Sequence, residues 1–424
     1  MLNVTTGKIG TARFAFCPMD EVESVSVGLW FGVGSRHEPA KLQGGAHFLE
    51  HMMFKGTRQR NALGISQEVE GKGGDLNAFT SEEMTCYYAR MDADHADLVL
   101  DVLFDMLWHS TLPALEVERE RGVILEEIRM YEDQPSSLVM DRLNEALWSG
   151  NSLGRPIAGT PTSVSAMKRA DLATFWKNHY HPGSLTLSMA GSFSPEKVRN
   201  KVEAYTKGRK VCPDRSSYQR VKRVSSGRIK TLAIPRPVQQ CNVALGIHGL
   251  PRQSPKRYAE KVLSIILGEN MSSRLFQILR EKHGLAYSVH TSTNHFHDCG
   301  AFYLQAGLDT PKLGAAMKLT AREFQRIGQS KPSMAELRRA KDFLMGQMKL
   351  SMESTSNRMM WMGESIIGLG RVQPMKEMLE EIQAVTPEQV SAVARELFQP
   401  GRMTLACVGP DVDDKMLREA AKHF

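Results

Sequence analysis

Two histidines and a glutamate in the segment Gly44–Thr57 (GGAHFLEHMMFKGT) have the types and spacing of a metal-dependent hydrolytic site. Residues four positions apart lie on one face of a helix, so His47 and His51 can present both imidazoles to one metal ion. Glu50 lies beside them and can accept a proton without binding the metal. This spacing predicts a zinc site that activates water, and the alternative is a pair of core histidines with a surface glutamate.

A tetrahedral catalytic zinc takes three protein ligands and leaves its fourth position to water, so one more side chain is needed. The acidic segment EVERERGVILEEIRMYE, residues 116–132, is the candidate donor. Glu120 and Glu127 are seven residues apart and share a helix face, whereas Glu126 is rotated by about a quarter turn from Glu127. Spacing leaves both Glu126 and Glu127 open as the third ligand, and such a run is often only a solvated helix face.

The pattern around these residues predicts strands and helices that repeat along the chain. Residues 22–31 alternate in apolar character and predict a strand, residues 45–54 predict a helix, and residues 75–79 and 85–91 predict paired strands. A polar, basic stretch at 207–227 follows, and then strands and helices recur in a similar order. We predict an α+β protein of two similar domains, each a mainly antiparallel sheet packed with helices on one side. The predicted boundaries are 1–206 for the first domain, 207–227 for the linker and 228–424 for the second domain.

Composition and charge exclude several classes of partner. The chain has 424 residues and a formal net charge of +7. Its basic residues are dispersed, and the densest basic run contains only one aromatic residue, Tyr218, so we expect no nucleic-acid partner. No run of apolar residues reaches about 18, the length of a membrane-spanning helix, so we expect no membrane span. We expect a cytoplasmic bacterial protein, with the mitochondrial matrix and the periplasm as alternatives.

Several motifs together resemble the pitrilysin family of zinc metallopeptidases, the inverzincins, in its mitochondrial-processing-peptidase-like branch. The resemblance implies that Glu127 is the third ligand of one zinc ion per chain and that Glu120 supports the ligands from behind. It also implies that His47 and His51 bind the zinc while Glu50 acts as the base. The matching segments are GSRHE (34–38), HFLEHMMFKGT (47–57), GGDLNAFTSEEMTCYYARM (73–91) and ERERGVILEE (118–127).

The resemblance continues into the second predicted domain. SSRLFQILREKHGLAYSV, residues 272–289, is similar to the family's substrate-binding segment. It implies that Arg280 and Tyr287 hold the substrate and stabilise the developing oxyanion. Their structural alternatives are a helix-surface ion pair and a half-buried strand tyrosine. In the family, the positions of Asn77 and Ala78 lie on an open strand edge, to which a peptide can add as a further strand. The alternative is that these residues simply end a structural strand.

The resemblance implies a zinc-dependent endopeptidase that hydrolyses peptides or unfolded segments inside a clamshell chamber. Family members enclose the peptide with four such domains, so we expect a dimer. A homodimer is favoured over a heterodimer because the metal motif and the Arg280–Tyr287 pair are present in one chain. The alternatives are a non-catalytic partner or structural subunit of a processing-peptidase-like complex, and a metal-dependent hydrolase that acts on other substrates.

Overall fold

The computed structural model describes residues 3–212, 217–222 and 228–424, which form two compact units. The first unit comprises the described residues of 1–129, 155–219 and 349–373, and the second those of 130–154, 220–348 and 374–424. Each unit therefore draws on both halves of the chain. The predicted linker, 207–227, lies partly outside the described residues, and the two units meet in the sequence inside it, at residues 219 and 220. The division into sequential domains, 1–206 and 228–424, stays a prediction.

A six-stranded sheet forms the centre of the first unit. Its order is β1-β2-β6-β3-β5-β4, and every pairing is antiparallel except the parallel pair β2–β6. The central strand β3 is almost wholly buried, which agrees with its run of apolar residues. Strand β4 lies at one edge and, in the described part of the chain, has a neighbouring strand on one side only. The strands are β1 (Thr5–Ile9), β2 (Ala12–Pro18), β3 (Ser24–Phe31), β4 (Asp75–Thr80), β5 (Thr85–Asp92) and β6 (Leu185–Gly191).

The second unit is built on a five-stranded sheet of order β7-β11-β8-β10-β9. Strands β7 and β11 are parallel, and the remaining pairs are antiparallel. From β2 onward, the first sheet follows the same scheme of one parallel pair and three antiparallel pairs. The strands are β7 (Lys230–Pro235), β8 (Cys241–Gly249), β9 (Ala286–His295), β10 (Gly300–Leu308) and β11 (Met403–Gly409).

The helices connect and cover these sheets. A π-helical segment, Phe276–Lys282, also precedes β9. The helices, in chain order, are α1 (Gly45–Met53), α2 (Ala62–Glu70), α3 (Ala96–His109), α4 (Ala114–Asp133), α5 (Pro135–Leu147), α6 (Pro161–Ala166), α7 (Arg169–His179), α8 (Pro195–Thr206), α9 (Arg257–Gly268), α10 (Leu313–Gln329), α11 (Met334–Ser351), α12 (Thr355–Leu369), α13 (Met375–Gln383), α14 (Pro387–Leu397) and α15 (Asp414–Ala421).

Helices pack on both faces of each sheet. In the first unit, α1, α3 and α7 contribute to the main core, while α12 covers the opposite face. The contact is close at Gly363, where a Cβ atom would lie 2.0 Å from the Trp30 ring, so only glycine fits there. In the second unit, α9, α10 and α14 contribute to the main core, and α5 covers the opposite face. The predicted α+β class with two sheets and packed helices is confirmed. The prediction that helices pack on one side of each sheet is wrong, because α12 and α5 bury the second faces.

Among the residues described, no helix is both long enough and apolar enough to span a membrane.

Candidate active site

The N-cap residue of helix α1 is a glycine, so the carboxylate of a residue six positions earlier caps the helix. Gly44 has a left-handed backbone with φ of 89° and offers no side chain for capping. Glu38 instead accepts hydrogen bonds from the backbone N–H groups of Gly44 at 2.8 Å and Ala46 at 2.7 Å. Burial raises the pKa of Glu38 to about 8, although these two donors and Arg155 oppose the shift. The segment before α1 therefore fixes the start of this helix at Gly45, two residues before His47.

The two faces of α1 differ in character. Phe48, Leu49 and their neighbours Met52 and Met53 are fully buried in the core. The two histidines and Glu50 are only half-buried and share the other face, as expected for spacings of three and four residues. The imidazole ring centres lie 4.7 Å apart. Packing of the apolar face thus holds both imidazoles on the same side of the helix.

Helix α4 brings Glu127 to the two histidines. Its Oε2 atom lies 3.6 Å from Nε2 of His47 and 3.6 Å from Nε2 of His51. Glu126 is 72% exposed and pairs with Arg129 on the outside of the helix. Of the two carboxylates that spacing had left open, the structure therefore directs Glu127 to the histidines and Glu126 to solvent.

Glu120 contacts the ring nitrogen of His51 that does not face Glu127. Its Oε2 lies 3.1 Å from Nδ1 of His51, and its Oε1 lies 2.8 Å from Nζ of Lys55. Glu120 is buried, with 7% of its side chain exposed, so the lysine compensates a carboxylate that burial would otherwise destabilise. When Nδ1 of His51 carries the proton, it donates a hydrogen bond to Glu120, and Nε2 keeps its lone pair on the side of Glu127. This is the tautomer that a metal ligand requires.

The surroundings set different proton affinities for the two histidines. Burial and the neighbouring His51 lower the pKa of His47 to about 4, and Glu127 opposes that shift only in part. Burial also acts to lower the pKa of His51, but the nearby carboxylates of Glu127 and Glu120 outweigh it and raise the pKa overall. His47 is therefore neutral at physiological pH, as metal binding requires.

Glu50 lies beside this group, held by a threonine. The hydroxyl of Thr80, on β4, donates a hydrogen bond of 2.5 Å to Oε2 of Glu50. Burial raises the pKa of Glu50, while Thr80 and His51 act in the opposite direction. A carboxylate with a raised pKa accepts a proton more readily than one in water, which suits a general base.

The donor set fits a zinc ion. Candidate ligand atoms of His47, His51 and Glu127 all lie within 4.8 Å of one another. The 3.6 Å separations are too long for hydrogen bonds. They are close to the ~3.4 Å expected between two ligands of a tetrahedral zinc with bonds of about 2.1 Å. Two imidazoles and a carboxylate are also the ligand types of catalytic zinc sites.

The edge strand β4 carries the predicted peptide-binding residues, Asn77 and Ala78. Both lie on the first sheet's open edge, where β5 is the only neighbour of β4 among the described residues. Asn77 is exposed, and its side-chain oxygen accepts a hydrogen bond from the backbone N–H of Ala78 at 2.8 Å. This N–H therefore donates a hydrogen bond to a local side chain.

Arg280 and Tyr287 lie in the second unit. Arg280 belongs to the π-helical segment, is 50% exposed and has its guanidinium 4.9 Å from the ring centre of Phe276. Its nearest carboxylate contact is a loose one of 3.9 Å with Glu281. Tyr287 is the second residue of β9 and is 57% exposed. Both side chains are accessible, so neither serves mainly to pack the core.

Sequence comparisons identify the family of the chain. Residues 17–161 match the family profile described as "Insulinase (Peptidase family M16)", and residues 166–344 match "Peptidase M16 inactive domain". A protein of Streptomyces coelicolor named an uncharacterized zinc protease is 37% identical over 97% of this chain and 92% of its own length. The chain belongs to peptidase family M16. This confirms the predicted resemblance, since M16 is the insulinase and pitrilysin family.

Further proteins are similar to this chain in sequence or in fold. YmxG of Bacillus subtilis, also named an uncharacterized zinc protease, is 35% identical over 92% of this chain and 94% of its length. A protease from Helicobacter pylori superposes with a TM-score of 0.90 at 21% identity, covering 96% of this chain and 100% of that one. An M16 inactive-domain structure from Pseudomonas fluorescens gives 0.88 at 22% identity, over 97% and 99%. At these identities the solved structures show the fold alone.

Three residues of the M16 site were missed by the sequence reasoning. Lys55 contacts Glu120, Thr80 contacts Glu50, and Glu38 caps α1. All three stand inside motifs that carried the resemblance, which was the available signal. Their partners are distant in sequence or lie across a loop, so spacing could not assign those contacts.

Proposed function

We propose that the protein is a zinc-dependent endopeptidase that hydrolyses peptides or unfolded protein segments. The proposal is carried by one observation, the convergence of His47, His51 and Glu127 with Glu50 beside them. Membership of M16 and the zinc protease names of its relatives support it.

His47, His51 and Glu127 would hold one zinc ion per chain. When bound, such an ion lowers the pKa of a coordinated water and polarises the scissile carbonyl. Glu50 accepts the proton of the attacking water and then gives it to the leaving amine. Glu120 accepts a hydrogen bond from Nδ1–H of His51 and so keeps that ring oriented towards the ion.

The substrate adds to the open edge of β4 near Asn77 and Ala78. Pairing through main-chain hydrogen bonds requires an extended chain and tolerates many side chains. This favours peptides and unfolded segments over folded proteins or small non-peptide esters. Asn77 would release the N–H of Ala78 for the substrate, because their present hydrogen bond is local and exposed.

We infer that Arg280 and Tyr287 act as substrate-binding groups. A guanidinium and a phenol can both donate hydrogen bonds to the carbonyl oxygen as it gains negative charge. Since one chain carries both this pair and the metal-binding group, we infer that two identical chains associate to enclose the substrate in a chamber.

The experiment is a metal analysis of the purified protein combined with cleavage of a quenched-fluorescence peptide library, with and without a zinc chelator. We expect about one zinc per chain and cleavage that the chelator abolishes and added zinc restores. Mass spectrometry of the products should show internal peptide-bond cleavage. Stoichiometric zinc without turnover would instead favour the non-catalytic partner, and chelator-resistant cleavage would contradict the proposal.

A further inference from the structure

The contact between Thr80 and Glu50 joins two parts of the site that the proposed function treats separately. Thr80 is the last residue of the edge strand β4, and Glu50 is the proposed base on α1. We propose that Thr80 is a positioning residue, which holds the Glu50 carboxylate in its reacting orientation and ties it to the peptide-binding edge. This inference rests on the proposed function.

The geometry leaves one oxygen of Glu50 free for chemistry. The Thr80 hydroxyl donates to Oε2 at 2.5 Å, a distance typical of a hydroxyl bound to a charged carboxylate. A glutamate side chain has three rotatable bonds, and fixing them costs entropy unless a contact selects one arrangement. With Oε2 held by Thr80, Oε1 remains available to receive the proton. The hydroxyl thus restricts the base without blocking it.

The hairpin that carries Thr80 is firmly anchored. Immediately after Thr80, the carbonyl of Ser81 accepts from the N–H of Ser35 at 3.1 Å. A buried ion pair of 2.6 Å joins Arg36 to Glu83 in the same turn. Buried charges are retained in a fold only when they are paired, so this contact resists displacement of the turn.

The anchoring segment, Gly34–Glu38, also holds the helix that carries Glu50. Its first residues bind the hairpin turn, and its last residue, Glu38, caps α1. Gly34 fits so closely that a Cβ atom there would lie 2.0 Å from the carbonyl oxygen of Ser81. One segment therefore contacts both elements of the Thr80–Glu50 pair and fixes their separation.

The same strand carries the proposed peptide-binding residues, two and three positions before Thr80. A peptide that pairs with β4 would therefore restrict the strand on which Glu50 depends. Because Thr80 acts on the base rather than on the bound peptide, its loss is expected to lower kcat and leave KM nearly unchanged.

The test compares Thr80→Val, Thr80→Ser and Thr80→Ala with the full-length zinc-loaded protein, by steady-state cleavage of one quenched peptide. Valine keeps the shape and strand preference of threonine but removes the hydroxyl, whereas serine keeps the hydroxyl. We expect kcat to fall roughly tenfold to a hundredfold in the valine and alanine variants, with KM within about threefold. Serine should retain at least about a third of kcat, because the donated hydrogen bond persists.

Thr6→Val is the matched control, an exposed threonine in β1 at the opposite edge of the same sheet. It should leave kcat and zinc content unchanged. An unchanged kcat in Thr80→Val and Thr80→Ala would overturn the inference. An equal loss in Thr80→Ser, or loss of zinc from the valine variant, would also overturn it, because the effect would then not follow the hydroxyl. Absence of cleavage by the unmodified protein would instead reject the proposed function.

Discussion

The two units share a strand order and differ in what their first core helix does. The sequence β2-β6-β3-β5-β4 in one sheet corresponds to β7-β11-β8-β10-β9 in the other. The helix that follows the central strand is α1 in the first unit and α9 in the second. Helix α1 presents the metal-binding histidines, whereas α9 is buried along most of its length. Within the described part of the chain, a metal-binding group of this kind occurs in the first unit alone.

The comparison also extends to two buried glutamates, one in the segment before α1 and one within α9. Glu38 and Glu260 are both buried, and burial raises the pKa of each to about 8. Glu38 receives two short backbone hydrogen bonds and organises the start of α1. Glu260 receives one of 3.3 Å from the N–H of Leu250, and its Oε1 has no hydrogen-bond partner in the residues described. The two units therefore share one fold, and the side chains at particular positions determine which unit can bind a metal.

The largest effect on activity is expected when Glu50, the proposed base of the first unit, is replaced. In the Glu50→Gln variant, the kcat of peptide cleavage should fall about 10²- to 10⁴-fold, because the amide cannot accept a proton. Zinc content should stay at the wild-type level, since Glu50 is not a ligand. Peptide cleavage and metal analysis on the same sample check both statements. Loss of zinc in this variant would contradict the assignment of Glu50 as base.

A second prediction concerns the two adjacent carboxylates of α4. Glu127→Gln should weaken zinc binding at least a hundredfold, because a neutral amide replaces an anionic ligand. Glu126→Gln is the control, and its zinc affinity should remain within about threefold, since Glu126 is exposed and pairs with Arg129. Competition with a chromophoric chelator measures both affinities. A larger loss of zinc affinity in Glu126→Gln than in Glu127→Gln would show that Glu126 is the ligand.

The third prediction asks whether the second unit takes part in the chemistry at all. Tyr287→Phe removes one hydroxyl from an exposed position, so the fold should be unaffected. We expect kcat to fall about tenfold to a hundredfold with zinc retained, because one donor to the oxyanion is lost. Kinetics equal to those of the wild type would remove Tyr287 from the site and restrict catalysis to the first unit.

The smallest effect is expected for the buried carboxyl of the second unit. The folded-state pKa of Glu260, about 8, lies above its ordinary value of 4.5, so folding favours the protonated form. Its contribution to stability is present below about pH 4.5 and is lost as the pH rises through about 8. Glu260→Gln should therefore raise Tm at pH 9 by a few degrees relative to wild type, with little change at pH 5. Parallel Tm–pH curves for the two proteins would contradict this.

The sequence predicted the elements that carry the chemistry because their signals are local. The spacing of His47 and His51 required a helix, and α1 spans Gly45–Met53. The alternating residues of β4 and β5 indicated paired strands, which the structure contains. These features depend on periodicities of two and 3.6 residues, which a single segment displays.

Long-range packing could not be predicted in the same way. Nothing in residues 355–369 indicates that α12 covers the sheet of the first unit, because that choice depends on the shape of the surface around Trp30. The hairpin of β1 and β2 was not predicted either, since its turn uses Gly10, with φ of 58°, in place of an Asn-Gly pair. The choice between Glu126 and Glu127 required either the family resemblance or the observed orientation of α4.

The central claim is that His47, His51 and Glu127 together bind the zinc that serves hydrolysis. Anomalous diffraction at the zinc absorption edge, from crystals of zinc-loaded Glu50→Gln with a bound peptide, tests it most directly. The account predicts one strong peak per chain, about 2.0–2.2 Å from both Nε2 atoms and a Glu127 oxygen, with the peptide paired along β4. A peak elsewhere, or one that Glu127 does not contact, would contradict the account.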